Sequence, residues 1–395
     1  MKIAFCTIAD QATMYRSLIE EFKNQGHEVT VIAPIYEKET EYIEKDGIKT
    51  LFFNSLPILN TGLIKRGIGN ILFPYKCLKA IKKNIKKEKF DLILMTTPPL
   101  GFFEPIRYLK KVNKNAKFYI ILRDIHPEGA KLVGLHKIKP LFYYFRTIEK
   151  KLYDLADYIG CMSPGNIEFL KEKNPQLDFQ KLRLLPNWEP ATEFINPDQN
   201  FLKKYNFENK FIVVFGGNMG ITQNLDIFLQ LAKEKENLEN VLFLLIGTGT
   251  EMERLKNKSL ELKLKNTLFL NQIPRDDYNE LMKNCALGFI SLSPKVHIPN
   301  YPSKSLGYLG AKLPILASID AITDYGQDLL DKYNCGLWSL ADNFDHLSKN
   351  FDTLYNNKDL RMQMGENGYE ALKNFSPEIT YEKIIKTYQS GNSGI

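Results

Sequence analysis

Residues 211–226 read FIVVFGGNMGITQNLD. Five apolar residues run together without polar alternation, the mark of a strand buried on both faces. Gly216, Gly217, Asn218 and Gly220 follow, and then a helical pattern begins near residue 224. A strand, a glycine loop and a helix in that order form the first piece of a βαβ unit. The same piece recurs downstream: VLFLLIGTG, TLFLNQI, ALGFISL, PILASI and CGLWSL read as strands. Helical stretches near 224–236, 250–264, 275–284, 303–311, 322–331 and 343–373 separate them.

Upstream the pattern is the same. KIAFCTI, HEVTVIAP, KTLFFN, DLILMTT, KFYIILRD and YIGCMS read as strands, with helices between, including a basic one near 70–88 and another near 138–155. The proline-bearing stretch LRLLPNWEPATEFINPDQ connects the halves near 186–200. The fold class is therefore α/β: two Rossmann-like, doubly wound parallel-sheet domains facing a cleft. The N-terminal domain is expected over 1–190, completed by a last helix over 376–390, where Ser376 and Pro377 form a helix start. The C-terminal domain is expected over 200–375. In such sheets ligands bind beyond the carboxyl ends of the strands.

That rule selects the loops worth reading. In 216–220, glycines permit close backbone approach, and free amides at a helix start attract phosphate; tight turning alone accounts for them equally well. Gly247 and Gly249 sit at the end of the next strand, around Thr248. Pro302 and Ser303 open a helix with Lys304 in its first turn, where a cation opposes the helix dipole. A bound phosphate would explain that lysine; a plain surface lysine is the alternative. In the first half, Asp124, His126 and Glu128 cluster directly after a strand, in ILRDIHPEG. Acid–base work or binding of substrate hydroxyls suits them. Asp10, in the first strand-to-helix loop, is a further candidate, with helix initiation as its plainer reading.

Composition excludes other classes. The chain has 395 residues, 44% hydrophobic and 25% charged, as in a globular protein. No apolar run approaches the roughly 18 residues of a membrane span, and the apolar start reaches Asp10 too soon for a signal peptide, so a cytoplasmic location is expected. Five widely spaced cysteines suggest neither a disulfide framework nor a zinc site. The net charge is +7 overall, and residues 65–117 alone hold 14 basic and 3 acidic residues. That segment reads as a solvated helix face, as an attachment to an anionic membrane surface, or, least favoured, as a nucleic-acid site, for which no accompanying motif exists. The helix near 137–151, with Leu141, Phe142, Tyr144 and Phe145 among basic residues, suits either a membrane interface or packing on a sheet.

With these residues in view, FGGNMGITQNLD, LLIGTGTEMERL, QIPRDDYNELMKNCALGFISL and YPSKSLGYLGAKLPILAS together resemble the family-four retaining glycosyltransferases of the GT-B fold. GNMG-x-x-Q-x-L, RDIHPE and LPNW are similar to the bacterial subgroup that builds O-antigen, capsule and colanic-acid units, which includes N-acetylfucosamine transferases. The resemblance implies a nucleotide-sugar donor, UDP-linked, held by the C-terminal domain, and a polyprenyl-diphosphate-linked saccharide acceptor at the N-terminal one. It implies that Gly217, Asn218, Met219 and Gly220 lie near the donor diphosphate and that Gly247, Thr248 and Gly249 line the nucleotide site. Ile273 would meet the base through its backbone, Ser303, Lys304 and Ser305 would contact diphosphate or ribose, and Asp124 and His126 would face the transferred sugar, with Asp10 and Glu128 beside sugar or acceptor. No metal or other cofactor is implied, and the chain has no D-x-D triplet. The protein is expected on the inner face of the plasma membrane, with no nucleic-acid partner.

Two departures stand out. Many relatives carry E-x7-E where this chain has Pro299 and Gly307, and basic residues in the loop that here reads Gly217-Asn218-Met219-Gly220. A sugar-nucleotide epimerase of the same shape, or a degenerate nucleotide- or membrane-binding protein, are the alternative readings.

Overall fold

The computed structural model describes residues 1–8, 12–58, 63–132, 134–190, 194, 196–198 and 200–390, excepting the side chains of 63–66. Contacts divide the chain into two compact units, Met1–Pro190 with Pro377–Ile395, and Ala191–Ser376.

Unit 1 runs β1 (Lys2–Cys6), α1 (Thr13–Asn24), β2 (Glu28–Tyr36), β3 (Glu41–Lys45), β4 (Ile48–Ser55), α2 (Leu63–Asn84), β5 (Leu92–Thr96), α3 (Phe103–Val112), β6 (Lys117–Ile121), α4 (Lys139–Leu155), β7 (Tyr158–Cys161), α5 (Pro164–Lys173) and β8 (Leu182–Leu184). The strand order is β3-β4-β2-β1-β5-β6-β7-β8. Every neighbouring pair is parallel except β3 with β4. Ile3, Phe5, Val29, Val31, Leu92 and Leu94 pack with α1 into the core beneath. These are the uninterrupted apolar runs that a sheet covered on both faces requires.

Unit 2 runs β9 (Phe211–Asn218), α6 (Asp226–Glu234), β10 (Val241–Thr248), α7 (Met252–Glu261), β11 (Thr267–Leu270), α8 (Arg275–Lys283), β12 (Leu287–Ser291), α9 (Lys304–Gly310), β13 (Ile315–Ile319), β14 (Gly336–Leu340), α10 (Phe344–Asn356) and α11 (Lys358–Leu372). Its six strands are all parallel, in the order β11-β10-β9-β12-β13-β14. The chain winds outward from β9 to β11, then returns to β9's other side with β12. The switch point thus lies between β9 and β12, where a doubly wound sheet opens a crevice.

The last helix, α12 (Pro377–Ser390), belongs to unit 1. Tyr381 donates or accepts at 2.9 Å from His27 Nε2 and packs edge-on to Phe22, with centroids 5.1 Å apart.

Several elements differ from the sequence reading. β3, EYIEK, is an antiparallel edge strand that polar residues conceal. The stretch 343–373 is two helices, because Asn357 caps the second by accepting from Leu360 N. The helix expected over 322–331 winds as a π-helix across Gly326–Asp331. The basic helix starts earlier than expected and carries Pro74 in its interior.

Candidate functional site

The carboxyl end of β9 is built by close backbone packing. Gly217 lies opposite Gly247 and Asn218 opposite Thr248 in the β9–β10 register. A Cβ on Gly247 would stand 2.0 Å from the Gly217 carbonyl oxygen, and one on Gly249 would stand 2.3 Å from that of Met219. Gly216 is pinned between two tyrosines: its N–H donates to Tyr308 Oη at 3.0 Å, and a Cβ there would meet Tyr278 Oη at 2.1 Å. Packing therefore accounts for Gly216, Gly247 and Gly249. Gly217 shares the positive φ of Gly247 and Gly249 but differs in its exposed face, where a Cβ would meet only the Lys304 side chain, at 3.9 Å.

Over that face lies Lys304. Its Nζ donates to Gln223 Oε1 at 2.9 Å and sits 3.7 Å from the centroid of Phe215. A Cβ on Gly217 would be 3.9 Å from the same Nζ. Lys304 opens α9, which follows β12, so one side chain spans the two loops that flank the switch point. Burial pushes its ammonium down to about 7, and among the described residues no carboxylate opposes that shift. A cation held by an amide oxygen and a ring face has its compensating charge missing. It is ready to take an anion.

Two of the expected ligand contacts turn inward. Met219 is fully buried in the hydrophobic core of unit 2, and its backbone pairs with Thr248 O and Glu251 N. Its role in the loop is packing. Ser305 is fully buried; its Oγ donates to Pro302 O at 2.8 Å and pairs with Tyr325 Oη at 2.7 Å. It anchors the start of α9. Asn218, Thr248 and Ser303 stay exposed, Gly220 starts the short turn Ile221–Gln223, and Ile273 is half-buried between β11 and α8.

In unit 1, Asp124 is exposed beyond the end of β6, and His126 is half-buried with its ring edge-on to Phe145 at 5.0 Å. The peptide between them is fixed: Asp124 O accepts from His126 N at 3.1 Å and from Thr97 Oγ1 at 3.4 Å. Although part of its side chain reaches solvent, the protein packed around Asp124 raises its carboxyl above the ordinary value, with Arg123 opposing. Glu128 is buried, and its carboxylate pairs with Lys131 at 2.5 Å, which braces this loop. Asp10 lies outside the described residues.

Sequence reasoning missed Arg123. This arginine is buried; Nη1 donates to Leu185 O at 2.9 Å and Nη2 to Pro186 O at 3.2 Å, while the guanidinium stacks 4.8 Å from the Trp188 ring. Burial pushes it down to about 10. It ties RDIHPE to LPNW, so the joint occurrence of those motifs was the available signal. Gln223 was also missed, since its partner lies 81 residues away. Among the described residues no cluster of three or more His, Cys, Asp or Glu is placed to hold a metal ion.

Comparison with known proteins agrees with this architecture. Residues 11–188 match the family described as Glycosyltransferase Family 4, and residues 197–371 match Glycosyl transferases group 1. An uncharacterized glycosyltransferase of Methanocaldococcus jannaschii is 23% identical over 388 residues, covering 93% of this chain and 90% of its own. Among solved structures, a sucrose-phosphate synthase from Thermosynechococcus elongatus superposes with TM-score 0.78 at 16% identity, covering 100% of both chains. Anabaena HepE in complex with UDP-glucose superposes with TM-score 0.72 at 13% identity, covering 99% of this chain and 100% of its own. With both of its halves matched in order, each on its own parallel sheet, the chain belongs to the glycosyltransferases of the GT-B fold.

Proposed function

We propose that this glycosyltransferase moves a sugar from a uridine diphosphate donor to a polyprenyl-diphosphate-linked saccharide in bacterial surface-glycan assembly. It would work at the inner face of the plasma membrane and retain the anomeric configuration. The carrying observation is Lys304, whose uncompensated ammonium lies over Gly217 at the switch point of unit 2. There it neutralises the departing diphosphate, aided by the amides of the 217–220 loop. Retention follows if the leaving phosphate oxygen takes the acceptor proton on the face from which it departs. Asp124 and His126, held on a braced loop, orient sugar hydroxyls. No metal enters this scheme. The UDP-glucose complex of Anabaena HepE supports the choice of nucleotide.

The test is thermal unfolding with UDP, GDP, ADP, CMP and dTDP, with and without magnesium. A ligand at 100 times its dissociation constant stabilises by about 2.7 kcal/mol. The reading expects a magnesium-independent shift with UDP, and then turnover of UDP-sugars only when lipid-linked saccharide is added. No shift with any nucleotide would refute it, and turnover of the donor without acceptor would indicate an epimerase.

A further inference from the structure

Between β13 and β14, the stretch from Asp320 to Asp331 packs against the turn from which Lys304 projects. Asp320 begins it. The residue is buried, and its Oδ1 accepts from Ile322 N at 2.8 Å and from Thr323 N at 2.9 Å. That closed turn delivers Thr323 Oγ1, which donates to the carbonyl of Asn300. Tyr325 is fully buried, and its Oη lies 2.7 Å from Ser305 Oγ. The single hydroxyl proton of Ser305 goes to Pro302 O, so Tyr325 is the donor. Tyr301 completes the set: its ring stands edge-on to Tyr325, with centroids 5.4 Å apart, and its Oη donates to Asp328 at 3.3 Å. Residues on both sides of Lys304 are thus tied to the same stretch.

The stretch is itself firmly seated. A Cβ on Gly326 would stand 2.5 Å from the Trp338 ring, and Trp338 Nε1 donates to Asp331 at 3.0 Å. Gly326–Asp331 winds as a π-helix, a form that collects at functional sites. Lys304 needs such support. A lysine has a flexible four-carbon stem, and its ammonium prefers water. Here that ammonium is held on an aromatic face and an amide oxygen, with no carboxylate among the described residues to draw it there. Its place is then set by the backbone it leaves from, and the groups that lock that backbone decide how well the site is preorganised.

We propose that Tyr325 and Thr323 are positioning residues for the donor site: through Ser305 and the Asn300 carbonyl they fix the turn that carries Lys304 and keep its ammonium over Gly217. This rests on the transferase reading for the identity of the anion, a diphosphate. The placement of Lys304 itself can be read without that ligand.

The test has two readouts. Trace acetylation of the full chain with acetic anhydride, read at Lys304 by peptide mass spectrometry across pH, follows the unprotonated amine. In the native chain labelling should rise around pH 7. In the pair Tyr325→Phe with Thr323→Val the ammonium regains water. The midpoint should rise by at least about one pH step, which cuts labelling at pH 7 about five-fold. The second readout is UDP-glucose affinity at pH 6. It should fall about five-fold in Tyr325→Phe, the usual net worth of one hydrogen bond, and about 25-fold in the pair. In a Lys304→Met background the same changes should cost nothing further, because they act through that ammonium. An unmoved labelling midpoint in the pair would overturn the proposal. So would an affinity loss that persists in the Lys304→Met background, which is what general loosening of unit 2 gives. If the pair does not fold, Tyr325→Phe alone decides on the same two readouts, with a smaller rise of the midpoint. Labelling that shifts as expected in a protein binding no nucleotide keeps the positioning role while the transferase reading fails. Normal UDP-glucose binding with an unmoved midpoint overturns the positioning role and leaves the transferase reading standing.

Discussion

Lys304 makes donor affinity depend on pH in a calculable way. Its ammonium is pushed down to about 7 by burial. Only the protonated form pairs with a diphosphate, and a bound diphosphate holds that proton through the range tested. Affinity is then full well below pH 7 and falls tenfold per pH step above it. Between pH 6 and 8.5 the protonated fraction drops about 30-fold, equivalent to about 2 kcal/mol. A UDP-sugar is the right probe because its diphosphate does not titrate in this window, whereas the terminal phosphate of UDP does. Titration calorimetry in buffers of different ionisation enthalpy reads both the affinity and the proton taken up on binding. That uptake should be near half a proton at pH 7.

Two variants isolate the cause. Lys304→Arg keeps a charge at every pH, so its profile should be flat. Lys304→Met loses a charge-assisted contact, weakening binding at pH 6 by about 1.5–3 kcal/mol, or roughly 10- to 150-fold. A native profile that is flat from pH 6 to 8.5 would refute the reasoning. An Arg variant with the native slope would refute it too, since some other group would then be titrating.

Three further outcomes follow from the packing. Arg123→Met leaves the Leu185 and Pro186 carbonyls without their donor and should cost about 3 kcal/mol or more, at roughly 1–3 per buried group, read as a lower urea midpoint for unit 1. Gly247→Ala puts a Cβ 2.0 Å from the Gly217 oxygen at a φ of +139°. The strain should cost about 3 kcal/mol and remove the nucleotide-induced shift; native stability would contradict the register. His27 is lowered from its ordinary value by burial and by the neighbouring N-terminal ammonium. Folding therefore favours the neutral ring, and its contribution, full above pH 6.5, is lost as pH falls through the lowered value. The urea midpoint should fall less between pH 7 and 5 in His27→Gln than in the native chain.

The parallel sheets were legible because their strands are apolar without alternation, and the glycine loops because they end those strands. β3 was not legible, since EYIEK is an edge strand with one solvent-facing side and little apolar content. The break at Asn357 was hidden because an apolar pattern continues across two helices joined without a loop. At the site, spacing located Gly217 and Lys304 but could not say which side chains turn inward. Met219 sits among glycines in a loop and still fills the core. Ser305 neighbours Lys304 and faces Tyr325. Arg123 reads as a surface charge until the carbonyls it serves, some 60 residues on, are folded beside it.

The two departures from the family pattern fit one electrostatic logic. Gly307 is exposed on α9, and a Cβ there would meet nothing within 4 Å. Sterics therefore leave room for the glutamate that many relatives have at this place. A glutamate at 307 would stand three residues from Lys304 on the same helix, the spacing at which opposite charges pair. It would draw the ammonium away from Gln223 and restore the lysine's ordinary basicity. With glycine there, and a loop from Gly216 to Asn224 holding no charged residue, Lys304 has an amide oxygen and an aromatic face as its neighbours. Lys304 is thus a cation without a counter-charge, and its charge is fully expressed only when an anion arrives.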